Sequence, residues 1–346
     1  MKQALVLGAT GGIGGEVARL LLARGWKVRA LHRAPETAAR AGDGLEWVAG
    51  DAMERDDVIN AARDVQLIVH AVNPPGYRNW GALVLPMIDN TVAAARVSGA
   101  RILLPGTVYN YGPDAFPHLH EDSPQHPVTR KGAIRVELEA RLREASRDGV
   151  RSLIVRAGDF FGPHSQNNWF SQGLVKPGKP VEAISNPSSP GVGHQWAYLP
   201  DVAETMVRLL ELDDALPAFA RYQMDGHWDA DGTQMVAAIA RAAGKPGLKP
   251  NAFPWWLMML ASPFVQVLRE LREMRYLWRQ PLRMSNARLL AVLGSEPHTP
   301  LDQAVRRTLQ GIGCLPAEVQ ASANAPRPMM PKAAAPLADG ASLRGQ

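Results

Sequence analysis

The stretch QALVLGATGGIGGEVARLL, residues 3–21, limits what this chain can fold into more than any other. A short apolar run is followed by Gly8, Gly11 and Gly14, and then by Ile13, Val17, Leu20 and Leu21 at helical spacing, with Gly25 ending the pattern. This order predicts a strand, a tight glycine turn and a helix. The unit then recurs. QALVL (3–7), KVRAL (27–31), LEWV (45–48), LIVHA (67–71), RILLP (101–105) and SLIVR (152–156) are continuous apolar runs, suited to strands covered on both faces. Strands alternating with helical patterns predict an α/β fold, a Rossmann-type doubly wound parallel sheet followed by a smaller C-terminal substrate domain.

Residues 1–160 form the first domain in this reading, with 195–225 returning to it. Residues 161–194 are rich in Gly, Pro, Ser and Asn and read as functional loops. Together with 226–315 they form the substrate region, within which 233–243 is helical, as is 200–212 in the returning segment. The Ala- and Pro-biased residues 316–346 are expected to be disordered.

Charge narrows the partners. The net charge is +5, and residues 269–288 alone hold six Arg against two Glu, a balance of +4. An excess concentrated in one segment, with no nucleic-acid-binding signature, argues against a nucleic-acid partner. Cys314 is the single cysteine, so no intrachain disulfide can form, and MKQALVLGATGG is not the pattern of a secretory signal. A cytoplasmic protein acting on a small molecule is expected.

Further motifs are more specific than the glycines: Gly50–Asp51, VRAGDFFGP (155–163), WAYLPDVAE (196–204) and LGSEPHTPLDQAVRRTL (293–309). With them, residues 1–312 resemble the short-chain dehydrogenase/reductase superfamily, in its extended, epimerase/dehydratase-like branch. The resemblance implies a nicotinamide dinucleotide whose diphosphate rests on the turn formed by Gly8, Thr10, Gly11, Gly12, Ile13 and Gly14. It places Asp51 and Ala52 near the adenine and the Ala71–Val72 backbone along the cofactor ribose. The residues after the second strand are LHRAPE, with no carboxylate before Glu36. Arg33 can pair with a 2′-phosphate, which favours NADP and leaves NAD open. A homodimer is permitted by the resemblance.

The family pattern also locates an altered catalytic site. A Ser or Thr precedes the Tyr of a VYG motif by four residues, and Y-G-x-x-K follows some two dozen residues later. Laid on GTVYNYGP and TRKGAIRVELE, the pattern puts Thr107 at the hydroxyl position, Lys131 where the acid–base Tyr belongs, Arg135 at the Lys and Glu139 at the following Glu. Like-charge repulsion from Arg135 and burial both lower an ammonium pKa, so Lys131 can act as an acid–base group. Arg135 keeps its proton but can donate to ribose hydroxyls. The competing expectation has Lys131 and Arg135 on a solvated helix face. Tyr109 is a second candidate proton donor, while Tyr111 falls at the structural Tyr of VYG. The two functions in view are an NAD(P)-dependent oxidoreductase or epimerase-like enzyme, for a small carbonyl, hydroxyl or sugar-nucleotide substrate, and a noncatalytic NADP-binding sensor.

By the same resemblance Asn167, Asn168 and Trp169 line the substrate cleft near Gln195, Trp196 and Tyr198, with a buried structural cluster as the alternative. Asp159 stands where the family commonly has Asn, which weakens the inference to a nucleotide sugar. His118, His120, Glu121, Asp122 and His126 share a loop, read as solvated rather than as a metal site. Leu257, Leu260, Phe264, Leu268, Leu271, Met274 and Trp278 form an apolar stripe beside Arg269, Arg272, Arg275 and Arg279. A packed helix is favoured there over an anion clamp or a membrane-surface segment. The stretch is too short for a transmembrane helix, which needs ~20 apolar residues.

Overall fold

The computed structural model describes residues 1–40, 42–74, 79–165, 168–212, 215–262 and 266–316; of residues 261, 266, 267, 270 and 271 only the backbone is described. Asn167, Phe264, the Leu271 side chain and the tail from residue 317 onward lie outside these, so the expectations placed on them stay as they were. The strands are β1 (Gln3–Leu7), β2 (Lys27–His32), β3 (Glu46–Ala49), β4 (Leu67–His70), β5 (Arg101–Gly106), β6 (Ser152–Arg156), β7 (Asp159–Phe161), β8 (His194–Tyr198), β9 (Phe219–Gln223) and β10 (His227–Asp229). The six sequence-marked runs correspond to β1–β6, each to within one residue at either end.

The main sheet has seven strands in the order β9-β6-β5-β4-β1-β2-β3, every pairing parallel. Helices α1 (Gly12–Ala23) and α5 (Leu199–Leu210) cover one face; α2 (Arg55–Ala61), α3 (Trp80–Ser98) and α4 (Arg130–Arg147) cover the other. The continuous apolar runs have their cause here. In β1, Ala4 and Val6 pack on the first face while Leu5 and Leu7 pack on the second, so neither face of the strand tolerates a polar residue.

Strand order reverses between β1 and β4, the place where doubly wound sheets open a crevice at their carboxyl ends. The residues after β6 turn away from this sheet. Strands β7, β8 and β10 form a smaller one in the order β10-β8-β7. Beside it pack α6 (Gln234–Ala242), the turn Phe170–Leu174, and α10 (Leu301–Gly311), which follows α9 (Ala287–Leu293). Strand β9 then rejoins the main sheet at its edge, beside β6.

Over the expected single helix at 254–280 the described residues form α7 (Trp255–Ala261), α8 (Gln266–Glu273) and a 3-10 turn at Met274–Trp278. Its apolar stripe is not one buried face. Met274 and Trp278 are buried, whereas Leu257 and Leu260 are exposed. The preference for a fully packed helix is therefore corrected: among the described side chains of the stripe, Met274 and Trp278 enter the core and Leu257 and Leu260 do not.

Candidate functional site

The glycine turn sits at the crevice between β1 and β4. Gly8 has φ +95°, and a Cβ there would lie 2.6 Å from the Ala71 carbonyl oxygen. A Cβ on Gly14 would lie 2.3 Å from the Gly8 oxygen. Residues 8 and 14 are thus glycine because the turn, α1 and the end of β4 are stacked at backbone distance. Gly11 is the N-cap of α1, and no side chain caps that first turn. Its N–H groups are open to an anionic group, which the helix dipole favours. These residues fit the diphosphate of a dinucleotide.

The other cofactor candidates stand at the carboxyl ends of neighbouring strands. Arg33 follows β2 and is exposed, while His32 beside it is tied down through Ala34 and an edge contact with Trp47. Asp51 follows β3; its Oδ1 accepts from the Met53 N–H at 3.0 Å, and the Ala52 carbonyl accepts from the Asn90 amide at 3.0 Å. Beneath Ala71, His70 is buried with Nδ1 2.8 Å from the Thr91 hydroxyl, which itself donates to the Met87 carbonyl. Thr91 has spent its one proton, so His70 Nδ1 is the donor. Burial, with Arg135 as a second cause, holds the His70 pKa down to about 3.

The start of α4 is pressed against the turn that follows β5. Thr129 caps the helix by accepting from the Gly132 N–H at 3.0 Å. A Cβ on Gly132 would fall 2.2 Å from the Tyr109 carbonyl oxygen, so the glycine after Lys131 lets the helix approach the Val108–Asn110 turn directly. Thr107 opens that turn. Its hydroxyl bonds the Asn110 side chain at 3.3 Å, and its carbonyl accepts from Arg156. Tyr109 is half-buried against both adjoining cores.

Lys131 points inward. Its side chain is 2% exposed, and Nζ lies 3.2 Å from Glu273 Oε2 at the end of α8. The solvated-face expectation is overturned for this residue: its ammonium meets Glu273 from a distant segment, a contact that periodicity within α4 alone does not reveal. Arg135, one turn on, is half-buried, with its guanidinium 4.9 Å from the centre of the Trp80 ring and Nη2 3.4 Å from Asn73 Oδ1. Two turns on, Glu139 is buried and takes both oxygens to Arg156 Nη2 at 2.8 Å, with Asn110 donating at 2.9 Å. Burial pulls the Arg156 pKa down, but the adjacent Glu139 outweighs it and leaves the guanidinium above its ordinary value. The sequence register of 131, 135 and 139 is therefore one inward-turned row.

Near Val108 a narrow cavity is lined by Gly158, Asp159, His194, Gln195, Leu277 and Leu282. Within it His194 Nε2 lies 2.8 Å from Asp159 Oδ2, and the imidazole stacks on Trp278 at 3.8 Å. Sequence reasoning missed His194. The available signal was Asp159, an acid at an Asn position, which needs a partner once buried; 35 residues separate the two. Three of the proposed cleft residues, Asn168, Trp169 and Trp196, make internal contacts. Asn168 bonds Ser165 and the Ser171 N–H, Trp169 packs on Trp278 at 5.1 Å, and Trp196 is buried between Phe161, Phe170 and Trp278. Gln195 holds the Asp225 carbonyl and the Met284 N–H. These contacts suit the structural-cluster alternative for Asn168, Trp169 and Trp196, while Gln195 also lines the cavity.

In the histidine loop, Glu121 is buried and accepts from the Gln223 N–H at 2.9 Å, while His126 pairs with Asp114. Among the described residues no three His, Cys, Asp or Glu converge as a metal site, nor is any helix long and apolar enough to cross a membrane.

The sequence profile of the NAD dependent epimerase/dehydratase family matches residues 4–224. A 3-diazoavenalumate denitrifying reductase from Streptomyces sp is 30% identical over 177 residues, 46% of this chain and 57% of that protein; the match thus spans little more than half of that relative's length. Among solved structures, a putative epimerase from Burkholderia cenocepacia J2315 superposes with a TM-score of 0.70 at 20% identity, covering 91% of this chain and 99% of the other. The Bordetella bronchiseptica enzyme WbmH in complex with NAD+ gives 0.67 at 18%, over 90% and 98%.

Proposed function

The chain belongs to the NAD dependent epimerase/dehydratase family, and from that membership and the geometry around Lys131 we propose that it is an NAD(P)-dependent oxidoreductase acting on a small carbonyl compound. The observation that carries the reading is the enclosed ammonium of Lys131, in the register of the family's acid–base tyrosine and on the first turn of α4, packed against the turn that Thr107 opens. In this reading the row Lys131, Arg135 and Glu139 serves as a catalytic helix with a changed proton carrier.

Gly8, Thr10, Gly11, Gly12, Ile13 and Gly14 would hold the dinucleotide diphosphate, Asp51 and Ala52 the adenine, and Ala71 and Val72 the ribose. The bound reduced nicotinamide would supply hydride to the substrate carbon. Thr107 would orient the substrate oxygen by a hydrogen bond. Lys131 would pass a proton to that oxygen as negative charge develops on it, with Glu273 accepting from the other side of the ammonium. Arg135 would donate toward the cofactor ribose, and Tyr109 is the reserve proton donor. The Streptomyces relative, a reductase by name, supports hydride transfer. The Asp159 carboxylate in the cavity supports a substrate without a diphosphate, since like charges there repel. Exposed Arg33, with no acid at the end of β2, supports NADP.

The test is loss of nicotinamide absorbance over a panel of aldehydes, ketones and sugar nucleotides, run beside calorimetry of both cofactors. Turnover of a carbonyl with NADPH is expected, with NADPH bound about tenfold more tightly than NADH and the preference lost in Arg33→Ser. Binding of NADPH with no turnover across the panel would leave a sensor; equal or tighter NADH binding would remove the role given to Arg33.

A further inference from the structure

Helix α7 is apolar all round but covered on one side only. Trp255 and Met258 are its inward residues: the Trp255 indole donates to the Pro187 carbonyl at 3.0 Å and packs on Phe253 and Trp169, and Met258 is buried. The other side presents Trp256 (64% exposed), Leu257 (51%), Met259 (41%) and Leu260 (66%). Four large apolar side chains at this exposure on two turns of helix are the signature of a surface that meets something.

What adjoins it is positive. Arg272 reaches Ser262 at the end of α7 with Nη1 3.3 Å from Oγ, and Arg275 lies 3.1 Å from the Met259 sulfur. Arg269 and Arg279 are exposed on either side of them. No carboxylate of the described residues pairs with any of these four arginines, because Glu273 is turned inward to Lys131. Tryptophan and leucine beside arginines that have no carboxylate partner among the described residues match an interface where hydrocarbon lies under a layer of negative headgroups.

We propose that α7 and the arginines of the following segment dock this protein on the surface of an anionic phospholipid bilayer. A second copy of the chain complements the patch less well. In a twofold contact the same patch faces itself, which brings two rows of like charge together. The bilayer surface satisfies the apolar side chains and the guanidinium groups at once. The docking segment also leads into the active-site cover: Glu273 contacts Lys131, and Leu277 and Leu282 line the cavity beside His194.

The experiment is co-sedimentation of the full chain with phosphatidylcholine vesicles, with and without phosphatidylserine, at low and high salt. Binding is expected only with phosphatidylserine and is expected to weaken with salt. The double variant Arg269→Gln/Arg272→Gln should lower partitioning about 30-fold, near fivefold per arginine. The variant Trp256→Ser/Leu260→Ser should lower it at least about tenfold with an unchanged circular dichroism spectrum, these side chains being outside the core. Three outcomes overturn the proposal: no sedimentation with phosphatidylserine, binding that neither variant weakens, or a concentration-dependent dimer in ultracentrifugation that Trp256→Ser/Leu260→Ser dissolves, which would make a second copy the occupant.

Discussion

Helix α4 carries two ion pairs about two turns apart, and they are built differently. Glu139 and Arg156 are enclosed together: the carboxylate is gripped by one guanidinium nitrogen, an Asn110 amide and a Gln125 amide, and the guanidinium also reaches the Thr107 carbonyl and lies 5.1 Å from the centre of the Tyr111 ring. Lys131 meets a partner from another segment, and that partner, Glu273, keeps 32% of its side chain exposed. The first pair is a fixed joint between α4, β6 and the turn after β5. The second is a contact between the candidate proton carrier and the segment that covers it. A buried charge whose hydrogen bonds are met within one enclosed network is immobilised, while Lys131 rests on a carboxylate that keeps part of its surface in solvent.

The largest expected effect breaks the fixed joint. Arg156→Met leaves Glu139 buried without its cation and should cost about 3–5 kcal/mol of unfolding free energy, read from urea denaturation. A loss under 1 kcal/mol would mean that Asn110 and Gln125 alone can hold the carboxylate.

The next effect falls on the second pair and on activity more than stability. Lys131→Gln should lower kcat by about 10²–10⁴-fold with only a small change in the urea midpoint. Lys131→Tyr, which returns a phenol to the same register, should recover part of the turnover. Unchanged kcat in Lys131→Gln would transfer the proton step to another group and erase the functional difference between the two pairs.

The smallest effect sharpens the contrast from a third site. His70 is buried and neutral below Arg135, with its pKa held down to about 3; His227 is held down to about 4 by burial and, secondly, by His298. A folded-state pKa below the unfolded value of 6.5 means that the unfolded chain takes the proton first. Stability is therefore complete above pH 6.5 and is lost as pH falls toward 4 and then 3. His70→Gln should flatten that decline by about 1.4 kcal/mol per pH unit between roughly pH 6 and 4. An unaltered slope in urea midpoints would show that His70 does not resist protonation.

Much of the cofactor half was legible. The runs in β1, β4, β5 and β6 are apolar because these strands are buried on both faces, while Gly8 is fixed by its positive φ and Gly14 by contact with the Gly8 oxygen across a turn of a few residues. These are local constraints, so they leave a local mark. The row of Lys131, Arg135 and Glu139 was legible in register but not in direction, since TRKGAIRVELE has the composition of a solvated helix and Glu273, the partner of Lys131, lies 142 positions away. His194 was invisible for the same reason: a lone histidine in a strand acquires meaning only when Asp159 is brought to 2.8 Å. The aromatic residues Trp169 and Trp196, expected at a cleft, were drawn into a core with Trp278, because large rings bury wherever the fold offers facing rings.

The sequence by itself determined the alternation of strands and helices, the glycine turn after β1 and the order of residues along α4, because each depends on neighbours within one supersecondary unit. Tertiary structure alone decided that Lys131 is enclosed, that Asp159 meets His194, and that α7 turns Trp256 and Leu260 to the outside. Those outcomes depend on which distant segment arrives, and the arrival of a distant segment is set by the packing of the whole chain, where no single stretch of sequence carries the information.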